Sequence, residues 1–250
     1  MNSLRVLLGR YVRDTLRLVF LLAFNLTAAI FFLVVLSGTF GRLQGPQYPL
    51  VMLPFALLSA AFSAASTVSG ALTADFSSGY INRLLATPCS ILIVIASPLL
   101  ANLIFVMGYG LLLIGIAVLL AHGALPAAGP FGIISCLLLT ALWGGAIGGI
   151  GVAFGVGGRN PQFAQLATIA VFYPMVYLSP ALIPTEMMEP WLVKATMFNP
   201  TTYVVVAMRS LILGGWTWPG VLLGFAVAAV MAAIFLTVAA KTVSSAINRG

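Results

Sequence analysis

The sequence has 250 residues, of which 62% are hydrophobic and only 6% are charged. Soluble domains carry roughly 25% charged residues, so this composition excludes a surface that faces mainly water. The net charge of +7 arises from eleven basic and four acidic side chains, and no long basic run indicates nucleic-acid binding. The composition therefore predicts a multi-pass membrane protein that contacts lipid and does not bind nucleic acid.

Residues 1–17 are predicted to form an amphipathic helix on the cytoplasmic membrane surface. Leu4, Leu7, Leu8 and Tyr11 recur at helical spacing, whereas arginines gather on another side. The basic side is either a membrane anchor or a contact for a partner protein, and the two roles are compatible. The residues assigned to this interface are Arg5, Arg10, Arg13 and Arg17.

Six stretches are apolar and long enough to span, since a spanning helix needs about 20 mostly apolar residues. These runs are too long and too unalternating for barrel strands. The fold is therefore expected to be all-α, with one transmembrane domain over 1–250 and no soluble domain. The predicted spans are roughly 18–38, 50–73, 91–120, 131–156, 165–183 and 219–240.

Lysines and arginines in the short loops predict the orientation. With the N-terminus inside, eight lie on the cytoplasmic side and three lie outside. Both termini are therefore expected to be cytoplasmic, with the protein in the cell membrane. The inner set is Arg5, Arg10, Arg13, Arg17, Arg83, Arg159, Lys241 and Arg249, and the outer set is Arg42, Lys194 and Arg209.

Residues 184–217 are too polar and proline-rich for an ordinary span. A seventh span here would place Arg209 in lipid, and an arginine at the bilayer centre costs roughly 2.5–3.5 kcal/mol on insertion scales. We predict instead two half-helices, at 186–197 and 201–213, that enter the outer leaflet without crossing it. The residues assigned to this re-entrant segment are Pro184, Glu186, Glu189, Asn199, Pro200, Tyr203 and Arg209.

Residues 74–90 form the longest predicted cytoplasmic loop. Ser77 or Ser78 is a candidate cap for a short helix that ends before Pro88. An apolar stripe on such a helix indicates either docking to another protein or packing in the lipid interface. The stripe would consist of Ile81, Leu84 and Leu85.

Small residues share one face of the second span, where they suit either close helix packing or a polar pathway. Overlapping GxxxG spacings in the fourth span indicate helix packing. The residues of the second span are Ser59, Ser63, Ser66 and Gly70, and those of the fourth are Gly144, Gly145, Gly148, Gly149, Gly151 and Gly155.

The sequence contains no nucleotide-binding or catalytic motif. It has no Gly-Lys-Ser/Thr sequence, so no Walker A loop is present. No catalytic triad, carboxylate pair or metal-ligand spacing stands out, so we expect neither an enzyme nor a bound metal. The predicted spans hold almost no ionisable groups, which makes an ion-coupled carrier a weaker expectation.

Two motifs resemble those of the type-2 ABC exporter permeases, a family that includes drug-resistance and lipo-oligosaccharide export permeases. The first, Arg83-Leu84-Leu85-Ala86-Thr87-Pro88, resembles the end of the family's GTLExLxxTP segment, although Tyr80 and Asn82 replace the usual Thr and Glu. The resemblance covers the whole chain. The second motif runs from Leu178-Ser179-Pro180-Ala181 through Pro184 and Pro190-Trp191-Leu192 to Asn199-Pro200-Thr201-Thr202-Tyr203, Arg209 and Gly214.

The resemblance implies a coupling helix that docks on an ATPase, and a translocation path along spans two and five of a permease dimer. Two cytoplasmic ABC ATPase subunits would bind ATP and Mg²⁺, and a second permease, identical or related, would complete the transporter. The implied coupling residues are Asp75, Gly79, Tyr80, Ile81, Asn82, Arg83, Leu84, Leu85, Thr87 and Pro88. The implied path residues are Ser59, Ser63, Ser66, Tyr173 and Tyr177.

The chain is therefore expected to be a non-catalytic permease subunit that exports an amphipathic drug or lipid-like substrate by alternating access. The outward direction comes from the resemblance alone. Export of a glycan or lipo-oligosaccharide stays open as an alternative. So do a secondary transporter or channel without an ATPase, and a membrane scaffold that transports nothing.

Overall fold

The computed structural model describes residues 2–17, 19–85, 91–183, 185–214 and 218–248. This part of the chain consists of helices joined by turns and contains no strand. Its helices are α1 (Asn2–Arg17), α2 (Val19–Gln44), α3 (Tyr48–Ser77), α4 (Tyr80–Leu85), α5 (Ile91–Leu120), α6 (Gly129–Gly158), α7 (Pro161–Tyr177), a 3-10 turn (Thr185–Met187), α8 (Pro190–Phe198), α9 (Pro200–Leu213) and α10 (Trp218–Asn248).

Four of the described helices contain stretches long and apolar enough to cross a membrane: Tyr48–Ser77, Leu100–Leu120, Gly129–Gly158 and Trp218–Ile247. Shorter apolar stretches occur in α2, at Leu26–Gly41, and in α9. The prediction of an all-helical, multi-pass membrane protein is therefore confirmed. The count of six spans stays a prediction.

Helix α6 forms the centre of the bundle and packs against α3, α5, α7, α9 and α10. The glycines of α6 allow the neighbouring helices to pack most closely against it. A Cβ atom on Gly144 would lie 3.1 Å from the Ala61 Cβ of α3, and one on Gly149 would lie 2.8 Å from the backbone carbon of Phe235 in α10. Larger residues would push these helices apart, so the glycine-rich span serves helix packing as predicted.

Two of the predicted helices have the wrong bounds, and local capping explains where the first of them begins. Asn160 accepts a hydrogen bond from the Gln162 N–H at 2.8 Å, and a proline follows Asn160 as the first helical residue. Helix α7 therefore covers Pro161–Tyr177 and not 165–183, and turns follow it. The first half-helix begins at Pro190 rather than at residue 186, again with proline at its first position.

Helix α9 lies antiparallel along the first half of α6. The Trp143 Nε1 donates a hydrogen bond to the Thr201 Oγ1 at 3.1 Å near the middle of α6. At the other end of α9, the Ala128 N–H donates to the Leu211 carbonyl at 3.1 Å. With 14 residues, α9 is about 21 Å long. It is therefore shorter than a bilayer core of roughly 30 Å.

Candidate functional site

A carboxylate in the last turn of α3 joins three helices. The buried Asp75 Oδ1 accepts a hydrogen bond from the Arg10 Nη2 of α1 at 2.7 Å. Its Oδ2 accepts one from the Tyr11 Oη at 2.8 Å. The Arg10 guanidinium also lies 4.0 Å from the centroid of the Tyr80 ring, which begins α4. We call these four residues the clamp, because they hold α1, α3 and α4 together.

The clamp is a charge-assisted network in a mostly buried position. Burial and the adjacent Asp75 carboxylate raise the pKa of Tyr11, so its hydroxyl stays a donor at neutral pH. Bonds to an ionised acceptor are roughly twice as strong as neutral ones. The cation–π contact with Tyr80 adds a further attraction between α1 and α4. A displacement of α4 would therefore be passed to α1 and α3.

The short helix α4 is the predicted coupling helix, but its apolar side is not the exposed surface that the sequence suggested. Ile81 is only 1% exposed and belongs to the core of the bundle, and Leu84 is partly buried against that core. The predicted docking stripe is therefore wrong for Ile81. Of the other coupling residues, the side chains of Asn82 and Leu85, and Thr87 and Pro88, lie outside the described residues.

The exposed side chains that the structure describes on α4 and at the end of α3 are mainly polar. Arg83 is exposed and donates from its Nη2 to the Ser78 carbonyl at 3.3 Å. Ser77 and Ser78 are also exposed. A partner that meets this segment therefore meets at least a cation and two hydroxyl groups, besides the partly buried Leu84.

The two serines end α3 and do not cap α4, contrary to the sequence-based expectation. The Ser77 Oγ donates to the Thr73 carbonyl at 2.7 Å, and the Ser78 Oγ donates to the Asp75 carbonyl at 3.2 Å. Gly79 makes the turn between the helices with a φ of 70°. Side chains disfavour this left-handed conformation, so glycine fixes the direction in which α4 leaves α3.

Helix α1 packs mainly against α5. Leu7 and Tyr11 are each 5% exposed, so the side that was expected to face lipid is covered by the chain itself at these residues. Arg5 and Arg13 are exposed, as predicted for the basic side. The side chain of Arg17 lies outside the described residues.

The predicted path residues lie on two helices in contact, α3 and α7. Tyr173 and Tyr177 are 50% and 44% exposed, and their rings are 5.7 Å apart between centroids. The Tyr177 ring also lies 6.4 Å from that of Phe55 on α3. The polar side of α3 next to them consists of three half-buried residues, Ser59, Ser63 and Ser66.

In the segment predicted to be re-entrant, one asparagine closes two helix ends. The Asn199 Nδ2 donates to the carbonyls of Met175 and Leu178 at 2.6 and 2.8 Å. Its Oδ1 accepts from the Thr201 N–H at 2.9 Å. Asn199 thus caps the C-terminus of α7 and the N-terminus of α9 together. The Tyr203 Oη donates to the Met197 carbonyl at 2.9 Å and holds α9 to α8.

The other residues of this segment also have structural positions. The Arg209 Nη2 donates to the Ala181 carbonyl at 3.4 Å, which links α9 to the turn after α7. Pro200 is the first residue of α9. Glu189 is exposed and precedes α8 without a side-chain capping bond. Pro184 and the side chain of Glu186 lie outside the described residues.

Sequence reasoning did not single out Trp143, which is fully buried and links α6 to α9 by a hydrogen bond. It also did not identify which residues bond to the Asp75 carboxylate. The composition could have indicated a basic partner, because the chain has eleven basic residues and only four acids. An acid beside a membrane span needs a cation or water nearby. Among the described residues, no group of three or more His, Cys, Asp or Glu could hold a metal ion.

A sequence model of the family described as ABC-2 type transporter matches residues 2–213. The matched region contains the clamp, α4, the predicted path residues and α9. Comparison with individually curated proteins gives no match.

Proposed function

The chain belongs to the ABC-2 type transporter family and is an ABC permease subunit, and we propose that it exports its substrate with energy from ATP hydrolysed by separate subunits. Two cytoplasmic ATPases would bind the ATP and Mg²⁺, and the permease itself would catalyse no reaction. When ATP binding brings the ATPases together, α4 would be displaced as a rigid body. The result would be alternating access along α3 and α7.

The observation that carries this proposal is the clamp. A coupling helix is useful only if its displacement reaches the spans. Here the Arg10 guanidinium contacts both the Asp75 carboxylate of α3 and the Tyr80 ring of α4. Ile81 adds a buried anchor between α4 and the bundle. A push on α4 therefore has a short and stiff route to α3.

We propose that α2, α3, α5, α6, α7 and α10 are the six spans, with both termini cytoplasmic in the cell membrane. Helix α7 is about 26 Å long, and the turns after it would complete its passage. Helices α8 and α9 would enter the outer leaflet and return. This is supported by the hydrogen bonds between α9 and α6, which lie between the start of α6 and Trp143 near its middle.

We propose a second permease copy beside the exposed tyrosines of α7. Tyr173 and Tyr177 would then border a path between the two copies, next to the serines of α3. Half-buried hydroxyl groups beside aromatic rings suit an amphipathic drug or a lipid-like molecule. The exposed phenol rings also keep glycan export as the second candidate, so a substrate panel should include both classes.

The test is the loss of coupling when the exposed cation of α4 is reversed. Leu84 is unsuitable for this test, because it is partly buried and a charged residue there would disturb the bundle itself. Arg83→Glu changes an exposed side chain. The variant should insert and melt as the wild type does, bind a co-expressed ATPase from the same genomic neighbourhood less well, and lose ATP-driven transport in vesicles.

Lys194→Glu is the matched control, because it reverses another exposed cation, on α8. It should leave ATPase association unchanged. If Arg83→Glu and the control both associate normally and transport normally, the assignment of α4 as the coupling helix is wrong. Transport that continues without any ATPase would instead support a secondary transporter or channel.

A further inference from the structure

A groove between the end of α6 and the last turns of α10 carries unusual charge. It has a volume of about 370 Å³ and is lined by Arg159, which directly follows α6, and by Lys241, Thr242 and Ser245 of α10. Arg159 and Lys241 are both exposed. A Cβ on Gly155 of α6 would meet the Thr73 side chain of α3. The groove, which we call the basic groove, therefore lies at the same end of the bundle as the clamp.

The basic groove has a positive charge that no described residue of its lining balances. None of the described residues that line it is acidic. The sequence has only four acids, and the one at this end of α3, Asp75, already accepts from Arg10 and Tyr11. Two cations in one groove, without an acid between them, attract an anion from outside the chain.

Arg159 occupies a backbone position that normally favours glycine. It ends α6 in the left-handed conformation, with φ 50° and ψ 31°, and the following Asn160 N–H donates to the Gly155 carbonyl at 3.1 Å. Glycine makes such a turn without steric cost. An arginine kept in this strained position indicates a use for its side chain.

The groove also offers polar groups of the right kind. The Ser245 hydroxyl is half-buried, and no bond from it occurs within the described residues, so it is available as a donor. The Thr242 hydroxyl already donates to the Val238 carbonyl at 2.9 Å. A guanidinium, an ammonium and a hydroxyl group together suit the oxygens of a phosphate.

The surface beside the groove favours a lipid over a free phosphate. Ile234 and Val238 are 54% and 46% exposed, and they precede Lys241 and Ser245 at helical spacing on one face of α10. A molecule with its phosphate between Arg159 and Lys241 could therefore lay an acyl chain along α10. Basic pockets between membrane helices bind anionic headgroups in this way.

We propose that the basic groove binds the phosphate headgroup of an anionic phospholipid, with Arg159 and Lys241 as its charged contacts. The site is separate from the coupling helix and does not depend on the ATPase. It places a lipid against the ends of α6 and α10, at the same end of the bundle as α4.

The experiment measures binding of dioleoyl phosphatidylglycerol to the purified full-length chain in neutral detergent, by native mass spectrometry. Dioleoyl phosphatidylcholine and inorganic phosphate are the comparison probes. The variants are Arg159→Gly, which suits the left-handed turn while it removes the cation, and Lys241→Gln. Lys194→Gln removes an exposed cation of α8 and serves as the matched control.

Each groove variant should bind phosphatidylglycerol about fivefold more weakly, the loss expected for one cation beside an anionic lipid. The control should bind as the wild type does, and phosphatidylcholine should bind more weakly than phosphatidylglycerol. Melting of Arg159→Gly without lipid should equal or exceed that of the wild type, because glycine relieves the strained turn. A loss of binding with normal melting therefore reports the site and not the fold.

Two results would overturn the proposal. The first is wild-type lipid binding by both Arg159→Gly and Lys241→Gln; if these variants also lost ATPase association, the groove would be assigned to a protein partner. The second is displacement of phosphatidylglycerol by an equal concentration of inorganic phosphate, which would assign the groove to a soluble anion.

Discussion

Replacing Asp75 by asparagine should detach α1 from the bundle while leaving the spans folded. The carboxylate offers two oxygens, one to Arg10 at 2.7 Å and one to Tyr11 at 2.8 Å. Asparagine is nearly the same size but has one oxygen and no charge. One of the two donors therefore loses its acceptor, and the other bond becomes neutral.

The expected loss of stability depends on how exposed the Arg10 and Asp75 side chains are. A hydrogen bond to a charged group contributes about 1.5–3 kcal/mol. The Arg10 side chain is 33% exposed and that of Asp75 is 12% exposed, so water partly replaces what Arg10 loses. We therefore expect the lower part of that range, about 1.5–2 kcal/mol. Since 1.4 kcal/mol is a factor of ten, local opening of α1 should increase about 10- to 30-fold.

Hydrogen exchange of the α1 backbone amides in a neutral detergent measures that opening. The amides of α1 should exchange faster in Asp75→Asn, whereas those of α6 should keep their protection. In the assembled transporter, the same variant should hydrolyse ATP with less transport per ATP, because α4 and α3 would no longer move together.

A double-mutant cycle with Arg10→Gln decides whether the clamp is the cause. If the two side chains interact as described, the stability losses of the single variants should not add. The double variant should be about 1–2 kcal/mol more stable than the sum of the two single losses predicts. Additive effects, within about 0.5 kcal/mol, would show that Asp75 acts through something other than Arg10. That result would refute the reasoning.

Three further predictions concern the fold and its orientation. Gly149→Ala should lower the melting temperature, because its Cβ would meet the α10 backbone, whereas Gly145→Ala should be neutral or stabilising, because nothing lies within 4 Å of its Cβ. Asn199→Asp should destabilise the protein although aspartate caps helices well, because a carboxylate cannot donate to the two α7 carbonyls; full stability would contradict that role. A cysteine at Ser245 should react with a membrane-impermeant reagent only from the cytoplasm, and labelling from outside would favour an odd number of spans.

The general fold was predictable because composition and long apolar runs determine it. So few charges force a lipid-facing surface, and runs of more than 20 apolar residues force helices. The glycine spacings of α6 likewise implied close packing, and the Gly144 and Gly149 contacts bear this out. These inferences need only local sequence and the properties of the bilayer.

The site was less predictable because its contacts join residues far apart in the chain. The Arg10–Asp75 pair spans 65 positions, and Trp143–Thr201 spans 58. The helical spacing of the apolar residues identified an apolar side of α4. It did not show whether the bundle, a partner protein or lipid would cover that side. A six-residue helix turned by Gly79 places Ile81 inward, and this direction depends on a backbone angle that residue patterns do not report.

The burial of Ile81 changes what should hold an ATPase to this permease. An apolar stripe would have made the contact hydrophobic and almost independent of salt. Among the residues of this segment whose side chains the structure describes, the exposed polar ones are Ser77, Ser78 and Arg83. The proposed association should therefore weaken as salt rises from about 0.05 to 0.5 M, because exposed charges are screened over that range. Association that is unchanged or stronger at high salt would instead indicate an apolar contact elsewhere on the chain.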